Sequence, residues 1–187
     1  MADASHPAFS KLFIQTEWAA SDSALLARRR PRANAETHPW LAHLLLESGD
    51  TSYESDRVRF MGRGGSPSRP GAMTRAGALT GSAGNVLAPV VSLRRAVRLD
   101  AGESAVLTFA LALAPDREGA LKLARDLRRA GASEVFAPAT RREQELQAAG
   151  SFSNAQAEAL QAFGAAIAYG YSGLRASRAQ QARQVAC

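Results

Sequence analysis

Cysteine occurs once, at the final position Cys187, which excludes an internal disulfide framework and any metal site built from several thiolates of one chain. A reducing compartment is the matching expectation. Histidine is scarce as well: His6, His38 and His43 are the only three, and His38 and His43 share neither a helical nor a strand face at a metal-binding spacing. His43, inside Trp40-Leu41-Ala42-His43-Leu44-Leu45-Leu46, reads as a strand histidine with a satisfied ring, so no metal and no cofactor is expected. No run approaches the roughly 18 apolar residues of a membrane span, and Met1-Ala2-Asp3-Ala4-Ser5 lacks a basic segment followed by an apolar one. A soluble, cytoplasmic chain is therefore expected. Lysine is nearly missing too, since Lys11 and Lys122 are two of 23 basic residues and the net charge of +6 is carried by arginine. Such a bias fits a nucleic-acid binder, and it fits equally an arginine-, alanine- and glycine-rich composition with no functional demand behind it.

What is present is a globular composition. Hydrophobic residues make up 46% and charged ones 21% of 187 positions, enough for one cored domain with a helical appendage and unlike a disordered chain. Five runs predict strands: Phe9–Trp18, Pro39–Glu47, Tyr53–Met61, Val90–Leu99 and Ser104–Ala114. The last two are joined by Asp100-Ala101-Gly102-Glu103, which predicts a hairpin. In its second strand Leu107, Phe109, Leu111 and Leu113 face one way, and this larger set is expected in the core. Residues 62–84 hold seven glycines with Pro67 and Pro70 and little periodicity, so a long loop is expected there, placed to meet a ligand or a neighbouring domain.

After Pro115 the period becomes helical. Asp116 is positioned as a cap, Leu121, Ala124 and Leu127 share a face, and Gly131 is a stop signal. Thr140-Arg141-Arg142-Glu143 and Ser153-Asn154-Ala155-Gln156 each carry the capping-box pattern of a new helix, the second followed by a Leu160, Phe163, Ile167 stripe. From Leu174 onward Ala, Arg and Gln dominate, and a frayed tail is expected.

Several constellations invite chemical readings. Glu54 and Asp56 on one strand face would sit about 7 Å apart, a carboxylate pair of the kind glycoside chemistry uses; both would lie on the same side of a substrate, and pairing with Arg57, Arg59 or Arg63 explains them better. No Gly-x-Ser-x-Gly elbow supports a hydrolase triad, and Gly62-Arg63-Gly64-Gly65 lacks the Lys-Ser/Thr ending of a phosphate loop. Arg28-Arg29-Arg30-Pro31-Arg32 is the densest basic run; without interleaved aromatics a surface turn is favoured over a nucleic-acid contact.

Tyr53-Glu54-Ser55-Asp56-Arg57-Val58-Arg59-Phe60-Met61-Gly62-Arg63-Gly64 is the most informative stretch. With His6-Pro7-Ala8-Phe9-Ser10-Lys11-Leu12-Phe13 before it and Pro89-Val90-Val91-Ser92-Leu93-Arg94-Arg95 after it, the chain resembles the sandwich domain of the cellobiose-phosphorylase-like glycoside hydrolases, family 94, formerly glycosyltransferase family 36. Within that family it is most similar to the phosphorylase-like region of cyclic beta-1,2-glucan synthases.

The resemblance implies an α+β fold: an antiparallel β-sandwich, supersandwich-like and incomplete, over residues 1–115, linker helices over 116–173, and a tail over 174–187. In the family such a sandwich leads through a helical linker to an (α/α)6 barrel that holds the catalytic aspartate, with phosphate as nucleophile. The segment Leu174-Arg175-Ala176-Ser177-Arg178 resembles the stretch just before that barrel, so the chain is expected to be a fragment with no catalytic residue and no turnover of its own. The implied role is an accessory one: binding a β-glucan or oligosaccharide, with phosphate, or supporting a barrel on a separate chain. Arg57, Arg59 and Arg63 are the expected substrate contacts. A small basic nucleic-acid-binding module and a nonfunctional gene fragment are the alternatives.

Overall fold

The structure, a computed structural model, describes residues 11–31, 33 and 36–171. The expected tail and the segment 174–178 lie outside these residues, as do residues 6–10 of the first family-like motif. Two compact units divide the chain, Met1–Val135 and Phe136–Cys187.

In the first unit, strands β1 (Ile14–Ala19), β2 (Ala24–Arg29), β3 (Trp40–Leu45) and β4 (Ser52–Asp56) are followed by helices α1 (Arg57–Met61) and α2 (Gly71–Thr74). Strands β5 (Gly84–Asn85), β6 (Pro89–Arg94) and β7 (Phe109–Ala114) then lead into helix α3 (Arg117–Gly150). Two antiparallel sheets result, one of order β5-β1-β2-β3-β7 and one of β4-β6. The fold is thus the α+β, antiparallel two-sheet arrangement with C-terminal helices.

Each face of the larger sheet has its own core. On one face Ala24, Leu26, Ala42, Leu44, Ala112 and Ala114 are buried against Ala120, Leu121 and Ala124 of α3. Alanines on both sides let the helix lie close to the sheet, while each fully buried leucine contributes about 1.5–3 kcal/mol. Asp116 caps the helix by accepting from Gly119 N at 2.7 Å, as its position in the sequence predicts. Arg125 pairs with the buried Asp22 at 3.0 Å, and Arg128 donates to the carbonyls of Asp22, Ser23 and Leu45, fixing α3 on the β1–β2 turn. On the opposite face Leu25, Leu45 and Leu93 join the two sheets, with Trp18 stacked on Tyr53 at 4.4 Å.

Several strand expectations are corrected. β2 is not among the five predicted runs; its three consecutive buried residues, Ala24, Leu25 and Leu26, mark a strand covered on both faces, which shows no alternation. The hairpin across Asp100–Glu103 does not form, because β6 pairs with β4 and β7 with β3; only the local turn bond from Glu103 N to Asp100 O, 3.0 Å, is present. Within β7 the expected faces are reversed. Ala112 and Ala114 are buried while Phe109, Leu111 and Leu113 are half or more exposed, since the alanine face of β7 is the one that continues the layer of Leu26, Ala42 and Leu44 packed on α3.

Gly131 interrupts α3 with φ 76° and ψ 169°, a conformation open essentially to glycine alone, but the helical run resumes beyond it. Thr140 therefore lies inside a helix and starts none. In the second unit α4 (Asn154–Ala168) does begin at the expected capping box, with Ser153 and Gln156 bonded reciprocally. Its Leu160, Phe163 and Ile167 are all more than half exposed, and Gln161 donates to Glu143 at 3.1 Å.

Candidate functional site

The informative stretch is a strand only as far as Asp56. There the side chain turns back and Oδ1 accepts from Val58 N at 2.8 Å, an N-cap that ends β4 and opens α1. The register with β6 slips between Glu54 and Asp56, where Pro89 stands opposite. Alternation over Tyr53–Met61 is thereby replaced by a helical turn, which leaves Arg57, Val58 and Arg59 exposed and Phe60 half-buried.

Glu54 is 1% exposed, and its carboxylate is a structural tie. Oε1 accepts from Asp56 N at 2.8 Å and Oε2 from the Thr80 hydroxyl. Around that tie the second half of the glycine-rich loop runs along β4: Leu79 N donates to Ser52 Oγ, Gly81 N to Tyr53 O, and Ser55 N to Ser82 O. Thr16 completes it, 2.6 Å from Ser55 Oγ and accepting from Gly84 N. The loop that glycine content alone marks as irregular is thus pinned along the strand. Among the described residues no arginine pairs with Glu54, so the expected ion pairing is met only by Asp56, 3.9 Å from Arg59 Nε.

Of the three expected contact residues, Arg59 lines a hollow of about 80 Å³ together with Glu54, Phe60, Arg75, Leu79 and Arg94. Arg57 and Arg63 are exposed and do not line it; the backbone of Arg57 donates to Ala88 O at 2.8 Å. Arg94 donates from Nη1 to Ala72 O and Arg75 O, both at 2.9 Å, holding α2 against β6. It also reaches a wider cleft of about 430 Å³ beside Asp50, Thr51, Ser52 and Gly77. Arg59, Arg75 and Arg94 make the lining of the smaller hollow donor-rich, a surface suited to hydroxyl or anionic oxygens. Arg94 stands in a motif that the sequence highlights; no sequence signal places the loop residue Arg75 beside it.

His43 is held as its strand setting predicts: Nδ1 donates to Ala110 O at 3.1 Å, and burial pushes its pKa below the usual histidine range despite that bond. In the basic run Arg28 lies over the Trp40 ring, and Arg29 and Arg30 lie over Phe13, so aromatics from neighbouring segments cover guanidiniums that appear isolated in the sequence. Among the described residues no three His, Cys, Asp or Glu side chains converge as metal ligands, and no helix is long and apolar enough to cross a membrane.

Comparison with known proteins agrees with this architecture. Residues 1–130 match a family described as "Glycosyl hydrolase 94, supersandwich domain". Over 122 residues the chain is 38% identical to the cyclic beta-(1,2)-glucan synthase NdvB of Rhizobium meliloti strain 1021, an alignment covering 63% of this chain and 4% of that much longer protein. The matched span takes in both sheets and the part of α3 packed on them, and the chain accordingly belongs to the glycosyl hydrolase 94 supersandwich domain family.

Proposed function

We propose that this chain is a carbohydrate-active accessory domain of a beta-glucan phosphorylase-like or cyclic beta-1,2-glucan synthase-like protein, working in the cytoplasm beside a catalytic barrel. The observation that carries this reading is the family match over residues 1–130, which covers both packed sheets. Residues 1–115 are the sandwich portion and residues 116–173 its linker, whose first turns, from Ala120 to Ala124, are built into the sheet core.

In this role Arg57, Arg59 and Arg63 present donors to a β-glucan or its phosphorylated end. Arg59 lies where Arg75 and Arg94 add two more guanidiniums, and Arg57 and Arg63 are exposed to an incoming partner. The chain itself does not turn over substrate. The stacking of Arg28, Arg29 and Arg30 on Trp40 and Phe13 makes the nucleic-acid reading the weaker one.

The test is phosphorolysis of beta-1,2-glucan and cellobiose, with sugar 1-phosphate detected, by the chain alone, by a separately expressed barrel, and by both. Product that needs the chain as well as the barrel supports the accessory role. Product from the chain alone overturns it.

A further inference from the structure

We propose that the open end of the five-stranded sheet, where Asn85, Gln15, Arg28 and Trp40 stand in one transverse row, is a binding platform for a neutral saccharide chain. The inference rests on the carbohydrate reading above and assigns it a site separate from the arginines of α1. The row follows from register. Asn85 on β5 stands opposite Gln15 on β1, Gln15 opposite Arg28 on β2, and Arg28 opposite Trp40 on β3. Directly paired residues project to the same face, so these four form a continuous line about 14 Å long across four strands.

One step along the strands the same face reads Glu17, Leu26, Ala42 and Ala112, of which the last three are buried beneath α3. The change from apolar to polar therefore falls where the helix ends its cover, at Arg117, whose guanidinium grips Glu17. Beyond that border Gln15, Glu17, Arg28, Trp40 and Asn85 line an open cleft of about 270 Å³.

The side chains in the cleft are flat and pre-positioned. Arg28 donates from Nε and Nη2 to Gln15 Oε1, at 3.3 and 3.2 Å, while its guanidinium covers the Trp40 ring at 4.8 Å. Holding Gln15 by its oxygen leaves its amide N–H groups as donors, and the Asn85 amide adds a donor and an acceptor. Neighbouring hydroxyls on a sugar ring donate and accept side by side, which matches planar groups that offer two polar atoms each. Trp40, packed on the core and covered by Arg28, adds an apolar edge beside these polar groups.

Charge selects among ligands. Arg28 and Arg117 face Glu17 and Glu118, with Arg117 bonded to both carboxylates. Two cations and two anions leave the platform without the excess positive charge that a polyanion would need. A neutral oligosaccharide meets hydrogen-bonding groups and an aromatic edge at no electrostatic cost.

The experiment is calorimetric titration of the whole chain with beta-1,2-gluco-oligosaccharides, repeated with Asn85→Ala and Gln15→Ala, two positions outside the buried core. Saturable binding that is indifferent to salt and weakened about tenfold by each variant is the expected result. Three results overturn the platform: absence of saturable binding, equal binding by the variants, or preference for a polyanion such as heparin that disappears with added salt. The same variants assayed with the barrel separate the two readings. Undiminished support of barrel turnover by a chain that binds no saccharide sinks the platform and keeps the accessory role. Saccharide binding at the row without any effect on the barrel does the reverse.

Discussion

Arg117, the first residue of α3, donates from Nε to both carboxylate oxygens of Glu17 on β1, at 3.1 and 3.2 Å, tying together residues one hundred positions apart. That hydrogen bonding holds the Glu17 carboxyl below its ordinary pKa of 4.5, against the opposing effect of burial and with help from the charges of Arg117 and Arg28. A pKa lower in the folded than in the unfolded chain adds stability above the ordinary value, and this contribution is lost as pH falls through the lowered one. Both side chains are about 40% exposed, so Glu17→Gln should cost only about 0.5–1 kcal/mol near neutrality. Thermal unfolding of both proteins across pH checks this: the gap between them should close below pH 4.5, and a gap that persists in acid contradicts the assignment.

The two faces of β7 and β3 predict opposite responses to truncation. Leu44 is fully buried under α3, so Leu44→Ala should destabilise by about 2–5 kcal/mol. Leu111 is 63% exposed, and Leu111→Ala should stay within about 0.5 kcal/mol. Urea denaturation of the pair reads out the burial directly, and equal losses would mean the helix covers the other face.

A structural rather than chemical Glu54 makes its own prediction. Glu54→Ala leaves Thr80 and the Asp56 amide without their buried acceptor, at a cost of about 1–3 kcal/mol. The segment from Leu79 to Gly84 should then become a site of proteolytic cleavage. Unchanged stability and unchanged cleavage would return Glu54 to the list of candidate reacting groups.

How much of this was legible in the sequence depended on whether the deciding contact was local. Asp116 and Ser153 cap their helices from within one turn, and both were readable. Asp56 is also a local cap, yet the alternating residues around it imitate a strand, and the helical turn was missed. The partners of β6 and β7 are set by pairings across the fold, to β4 and β3, which a short Gly-containing link does not reveal. The inward face of β7 is set by its pairing with β3 and by the packing of α3 on that side of the sheet, long-range contacts that the size of the alternating residues does not reveal. For the candidate site, Arg59 was visible in a charged stretch, whereas Arg75 and Asn85 reach their clefts only through the path of the glycine-rich segment.

Gly131 adds a backbone test. Its φ of 76° and ψ of 169° penalise any side chain, so Gly131→Ala should cost about 1–3 kcal/mol or convert the break into continuous helix. Circular dichroism together with thermal unfolding distinguishes these: lower stability at constant helicity, or a gain in helicity, is expected. No change in either measurement would show that the break is absent.

The most direct test of the account is sugar 1-phosphate release from beta-1,2-glucan by the barrel domain, measured with and without this chain. The accessory role predicts no release by the chain alone and release by the barrel that rises when the chain is added. Turnover by the isolated chain, or barrel turnover indifferent to its presence, would contradict it.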